Sequence, residues 1–256
     1  MQKILVAGRV GRQRNTTKVS AEPKTVTKGG PRVARQPNRV VALGVSTGGP
    51  NALQYVLSQI PADFPAALLV VQHMPEGFTE MLAKRLDDCC EIDVAEARSG
   101  DILLAGRALI APGNRHMMAR RMPRGDVTVL TDSAPVNGHR PSVDVLFHSV
   151  AQEFGPSSIA VLMTGMGEDG ADGLGAVRNS GGTTIAQSEE SCVVSGMPRA
   201  AILKGYASHV VHLEKIGAFL VSQCSGEREG TEQMERKSLA EKQEVKERTP
   251  VSSPRN

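Results

Sequence analysis

Three runs in this chain, "VVALGVS" (40–46), "AALLVVQH" (66–73) and "SIAVLMTG" (158–165), are apolar almost without interruption. A strand exposed on one side alternates apolar and polar residues, so a run without alternation must be covered on both faces. Amphipathic stretches with helical spacing follow each run. "NALQYVLSQI" (51–60) sets Leu53, Val56, Leu57 and Ile60 on one side; "FTEMLAKRL" (78–86) and the glycine-terminated "DGLGAVRNSG" (172–181) behave alike. Buried strands alternating with helices imply an α/β chain: a doubly wound, mostly parallel sheet with helices on both faces. Further strands are expected over 92–97, 108–113, 126–132, 182–187 and 208–213, and helices over 142–154, 196–205 and 216–224. "RRMPRGD" (120–126) is expected to turn a β-hairpin between extended segments.

Charge divides the chain into three parts. Residues 1–40 carry ten Lys/Arg and one acid (+9), 41–224 thirteen basic and nineteen acidic residues (−6), and 225–256 seven of each sign. Apart from a short apolar stretch at 3–8, residues 1–39 have no apolar periodicity and read as a basic, largely disordered linker or arm. The domain is expected over 40–224, followed by a polar disordered tail over 225–256. Aromatic residues make up 3% of the chain, which argues against nucleic-acid binding by base stacking. The four cysteines (Cys89, Cys90, Cys192, Cys224) form no CxxC pair, pointing to a reducing compartment without structural zinc. No apolar run suits a signal peptide or a membrane span, so a cytoplasmic protein without membrane insertion is expected.

Ligands of open parallel sheets sit outside the carboxyl ends of the strands. The three buried runs deliver Ser46, His73 and, after a glycine turn, Asp169. Ser46 lies in Gly44-Val45-Ser46-Thr47-Gly48, with Pro50 suited to the first turn of a helix. That pentapeptide alone permits a nucleophile on a strand-to-helix elbow, a phosphate cradle, or a capping serine in a permissive loop. His73 taken alone could be a satisfied interior histidine, and Asp169 a helix cap. Together the three are a parts list for acyl transfer, because serine needs a base and the base needs a group that fixes its tautomer. An ordinary α/β-hydrolase would place strands before the elbow and run Ser…Asp…His, whereas this order is Ser…His…Asp. "STGGPNAL" lacks the lysine of a P-loop, and "GVSTGG" is not GxGxxG. His116 and His139 are expected in loops on the same face, lining a cleft with Gly48 and Gly49. His148 falls in a helix, while His209 and His212, three apart on a strand, point to opposite faces and share no metal. No zinc spacing is present, so no metal site is expected.

"GVSTGGP", "QHMPEGFTEMLAKRL", "APGNRHM", "HRPSVDVLF", "MTGMGEDGADGL" and "GGTTIAQSEESCVVSGMPRAA", in this order from about Val40 to about Leu220, closely resemble the catalytic domain of bacterial chemotaxis-receptor methylesterases of the CheB type. The resemblance implies hydrolysis of glutamate γ-methyl esters on the cytoplasmic helices of methylated chemoreceptors, with deamidation of receptor glutamines and no cofactor. It puts the nucleophile on Ser46, the base on His73 and the orienting carboxylate on Asp169; oxyanion donors are expected at the N–H groups of Thr47, at the helix N-terminus, and Met166, in the glycine turn. Glu168 stands where a neutral amide is expected. Such chains commonly begin with a phosphorylatable receiver domain, and the segment before Val40 is too short for one. Either a stand-alone enzyme controlled otherwise or a truncated form is expected. The alternative from another class is a non-catalytic module that holds a helix or an anion in the same cleft.

Overall fold

β1 (Arg39–Val45) is buried along almost its whole length, and the rest of the fold is arranged around it. The computed structural model describes residues 34–225. The apolar stretch at 3–8, most of the basic arm and nearly all of the polar tail lie outside the described residues. In chain order the elements are β1, α1 (Gly49–Leu57), β2 (Ala66–Gln72), α2 (Phe78–Cys89), β3 (Asp93–Glu96), β4 (Arg107–Ile110), β5 (His116–Arg120), β6 (Val127–Thr131), α3 (Val143–Phe154), β7 (Ser158–Leu162), α4 (Ala171–Asn179), β8 (Thr183–Gln187), α5 (Gly196–Leu203) and β9 (His209–Val211). A last helix, α6, spans 213–225.

Seven strands form one parallel sheet in the order β3-β4-β2-β1-β7-β8-β9. The chain therefore builds outward from β1 to one edge and returns to build the other edge from β7. The return path contains the antiparallel hairpin β5–β6, a separate two-stranded sheet. The order reverses between β1 and β7, the topological switch point at which doubly wound sheets form a ligand crevice.

Alternate residues of the central strands feed two cores. Val41, Leu43 and Val45 join Leu68 and Val70 under α1, α2 and α6, where Leu53, Val56, Leu86, Ile216 and Leu220 are buried. Val40 and Ala42 join Leu69 and Val71 on the other face under α3 and α4, against Leu146, Phe147, Val150, Leu174 and Val177. Covering both faces is what lets these strands dispense with polar alternation.

Gly44 belongs to the second face, and its smallness admits α3. A Cβ at this position would lie 2.2 Å from Val143 Cγ1 and 2.9 Å from Val143 Cγ2. Val143 opens α3, so the glycine sets how closely the helix N-terminus approaches β1. Gly44→Ala should lower unfolding free energy by about 1–3 kcal/mol through overpacking, measured by urea denaturation. A compensating Val143→Ala should recover part of the loss; wild-type stability in Gly44→Ala would show that α3 can shift freely.

Candidate active site

Hydrogen bonding between the strands continues past their ends and brings three chain segments side by side. His73 N–H donates to Val45 O at 3.1 Å, and Ser46 N–H donates to Thr164 O at 2.9 Å. Ser46 thus sits between the end of β2 and the end of β7. The turn that follows needs a left-handed residue: Gly48, φ 82°, caps α1, and Pro50 lies in its first turn. Gly165 presses against the serine from the β7 side, since a Cβ there would lie 2.8 Å from Ser46 Cβ.

His73 and Asp169 meet directly. His73 Nε2 lies 2.7 Å from Asp169 Oδ2, with side-chain exposures of 8% and 0%. An ionised carboxylate can only accept, so Nε2 carries the proton in the neutral ring. Nδ1 is then the free lone pair; it is buried and has no hydrogen-bond partner. The ring therefore offers Nδ1 as its basic nitrogen on the side away from Asp169. Such an arrangement can take a proton from a hydroxyl and hand it to a leaving group.

Asp169 is satisfied from every side. The Ser142 hydroxyl donates to Oδ1 at 2.7 Å, Val143 N–H to Oδ2 at 2.7 Å and Asp144 N–H to Oδ1 at 3.3 Å. These donors are the N-terminus of α3, where a helix has free N–H groups and positive potential. Burial works to raise the Asp169 pKa, but the hydrogen bonds from His73, Val143 and Ser142 outweigh it and hold it at about 2. Asp144, beside it, responds oppositely. Burial pushes its carboxyl up, the Gly173 N–H opposes the rise, and the Asp169 charge adds to it.

His116 does not line a cleft. It lies on β5 rather than in a loop, and is fully buried. Its Nδ1 accepts the Ser142 N–H at 3.2 Å, which leaves Nε2 to donate to Ala134 O at 3.1 Å. The polar strand residue is thereby spent on holding Ser142, the residue that holds Asp169. Gly49 is also buried rather than cleft-lining, because Gln72 Oε1 occupies the place of its Cβ. Gly48 lies beneath the exposed Val193. His139 alone of the expected cleft residues stands beside His73, in a cavity of about 280 Å³ with Met74, Pro75, Gly138, Arg140 and Pro141.

The N–H groups of Thr47 and Met166 have no protein acceptor among the described residues. Both residues are exposed, Met166 by 72%. Glu168 is exposed as well, near Lys204. No cluster of three metal-ligating side chains occurs among the described residues, and no described helix is long and apolar enough to cross a membrane.

Three supporting residues escaped the sequence reading. Gln72 Nε2 donates to the carbonyls of both Ser46 and His73 at 3.0 Å. The Thr164 hydroxyl donates to Thr47 O at 2.9 Å and accepts the N–H groups of Val193 and Val194 at 3.1 Å. Gln187 Oε1 accepts the Thr164 N–H at 2.9 Å. Gln72 and Gln187 each close a strand and Thr164 follows one, and burial there obliges a polar residue to find partners.

The family model described as CheB methylesterase matches residues 41–220. The protein-glutamate methylesterase/protein-glutamine glutaminase 2 of Koribacter versatilis (strain Ellin345) is 61% identical over 192 residues, 75% of this chain and 53% of that protein. The corresponding Salmonella typhi protein is 46% identical over 208 residues, 81% of this chain and 58% of its own length. The chain spans about half the length of the curated relatives it matches. The crystal structure of the Thermotoga maritima CheB methylesterase catalytic domain is 41% identical, with a TM-score of 0.71, covering 72% of this chain and 98% of that one. With the family model matching residues 41–220 and the fold matching a catalytic domain of that kind, the chain belongs to the CheB methylesterase family.

Proposed function

We propose that this chain is a serine hydrolase that removes methyl groups from glutamate γ-methyl esters of chemoreceptors and deamidates receptor glutamines. The observation that carries the reading is the His73–Asp169 pair, with its second imidazole nitrogen unpartnered at the strand end next to Ser46. The relatives' names supply the substrate class.

In this reading Ser46 Oγ attacks the ester carbonyl while His73 Nδ1 takes its proton. Asp169, kept ionised, stabilises the imidazolium through Nε2–H. The oxyanion of the tetrahedral intermediate accepts the N–H groups of Thr47 and Met166, which no protein acceptor uses. Collapse expels methanol, or ammonia from a glutamine, which receives the Nδ1 proton. Water then attacks the acyl-enzyme, His73 taking one of its protons, and the glutamate carboxylate leaves as Ser46 Oγ is reprotonated. Each step uses side chains and main-chain donors alone.

Ser46→Ala should leave the fold intact and abolish turnover, by about 10⁶ in kcat as in a comparable triad. A fluorophosphonate should label the wild type at Ser46 and fail on the variant. Methanol release from methylated receptor at roughly a tenth of the wild-type rate or more in Ser46→Ala would overturn the assignment, and an unlabelled wild type would favour the non-catalytic binding module.

The carboxylates are separable. Asp169→Asn removes the charge and permits the wrong imidazole tautomer, with a loss of order 10⁴ in kcat expected. Glu168→Gln and Asp172→Asn should stay close to wild type, because both side chains are exposed and Asp172 pairs with Lys204 at 2.8 Å. A crippled Glu168→Gln or Asp172→Asn with an active Asp169→Asn would reassign the role.

The depressed Asp169 pKa also fixes a stability signature. A carboxyl whose folded value lies at about 2 rather than 3.8 stabilises the fold above its unfolded pKa. That contribution is lost as pH falls through the folded value. Wild-type stability should therefore decline between about pH 4 and pH 2 more steeply than that of Asp169→Asn. Urea titrations across this window give the difference, and parallel curves would contradict it.

A further inference from the structure

His139 makes no hydrogen bond to His73 or Asp169, yet its ring lies flat on that of His73. The centroids are 3.8 Å apart and the planes differ by 7°. Among the described residues neither ring nitrogen of His139 has a hydrogen-bond partner, so the imidazole is aligned by the face of its neighbour. The backbone that delivers the ring is fixed by other means. Val136 and His139 exchange N–H···O=C bonds of 3.1 and 2.9 Å. They enclose Asn137 and Gly138 at φ 52° and 75°, the two positive values of a primed hairpin turn.

Side-chain bonds tie this turn to the catalytic floor. Asn137 Nδ2 donates to Asp144 Oδ2 at 2.7 Å. Asp144 Oδ1 accepts the Gly173 N–H, also at 2.7 Å. The turn is thus joined to α3, whose first residues hold Asp169, and to α4, which follows Asp169. On the far side Arg140 donates to Asn114 Oδ1 and to the carbonyls of Asp132 and Ser133. A ring with no polar partner of its own is held against His73 by structure on both sides.

One hydrogen bond does not fix an imidazole plane. Asp169 pins Nε2, but the terminal torsion of a histidine is broad, and the ring can rock while keeping that bond. Rocking swings Nδ1 away from the serine. A flat ring in contact with one face removes this freedom. We propose that His139 is a positioning residue whose ring acts as a stacking plate, fixing the plane of the His73 imidazole and so the aim of Nδ1. The proposal rests on the reading of His73 as the base. The plate also suits the charged intermediate. Burial lowers the His139 pKa and the His73 charge lowers it further, while Asp169 opposes them. Both effects favour the neutral form of His139, which suits a π face set against an imidazolium.

The test is steady-state hydrolysis of a small aryl ester by the full chain, comparing wild type, His139→Ala, His139→Phe and His139→Leu, with melting temperatures for each. Loss of aim should appear in kcat, since the plate acts through the His73 ring on which it is stacked. His139→Ala should lose about tenfold or more in kcat with KM little changed, because small misplacements of a catalytic group are costly. His139→Phe, flat but without nitrogens, should restore most of the loss. His139→Leu fills similar space without a flat face and should not. Should His139→Ala fail to fold, the Phe and Leu pair alone decides.

Unchanged kcat in folded His139→Ala, or equal kcat in the Phe and Leu variants, overturns the proposal. A Phe variant as impaired as the Ala variant also overturns it, because the role would then lie in the ring nitrogens. Ser46→Ala and His73→Ala measured alongside keep the two readings apart. Inactivity of both beside an unimpaired His139→Ala removes the plate alone, whereas activity in His73→Ala removes the base on which the plate depends and activity in Ser46→Ala removes the nucleophile that base would serve.

Discussion

An ionised carboxylate with 1% exposure must be answered by donors. Left unpaired, such a charge costs about 3–5 kcal/mol. Asp169 is answered by four: the His73 ring, the Ser142 hydroxyl and the first two N–H groups of α3. The donors come from two separated stretches of chain and the carboxylate from a third, so satisfying one side chain aligns the end of β2, the start of α3 and the loop after β7. Ser142 is itself fixed from behind by the His116 imidazole. A buried charge is thus the point at which folding and the arrangement of the site coincide.

A second set of buried polar groups supports the other half of the site. Where strands end, their backbone groups lose ladder partners but remain buried, and each still needs a hydrogen bond. Gln72 meets this need for the carbonyls of Ser46 and His73 with one amide nitrogen. Thr164 does so for Thr47 and the 193–194 segment. The strand ends are thereby stitched to each other across the face where the serine and histidine stand. Among the described residues the main-chain N–H groups of Thr47 and Met166 stay without a protein acceptor.

The sheet, the hairpin and the three strand-end residues were legible because each rests on local sequence. Uninterrupted apolar runs give buried strands, and the first polar residue after a run marks the end where chemistry collects. What escaped depends on partners remote in sequence. His116 stands 26 residues from Ser142 and 18 from Ala134, so nothing in "APGNRHM" distinguishes a buried strand histidine from one in an open cleft. Gly49 looks like another turn glycine until Gln72 is seen to occupy the space of its missing side chain. Helix limits moved for a simpler reason. α2 runs on to Cys89, beyond the expected 86, because Asp87 and Asp88 break the apolar pattern without breaking the helix. The strand expected over 158–165 stops at Leu162, and the chain beyond it turns to form the site.

Topology also accounts for the order Ser…His…Asp. β1 is central and comes first, so the serine must lie in the middle of the sheet. β2 is its neighbour on the outgoing side and brings His73; β7 is its neighbour on the return and leads to Asp169. For the carboxylate to be buried there, a helix N-terminus must reach the gap above β1, and α3 supplies it. α3 can come so close only because position 44 lacks a side chain against Val143. Gly170, just after Asp169, abuts the same Val143, whose Cγ1 would lie 2.5 Å from an added Cβ. One valine therefore seats the helix between two glycines while its own N–H binds Asp169. Packing of the core and the ionised state of Asp169 thus both draw on the same residue, beside His73 and Ser142.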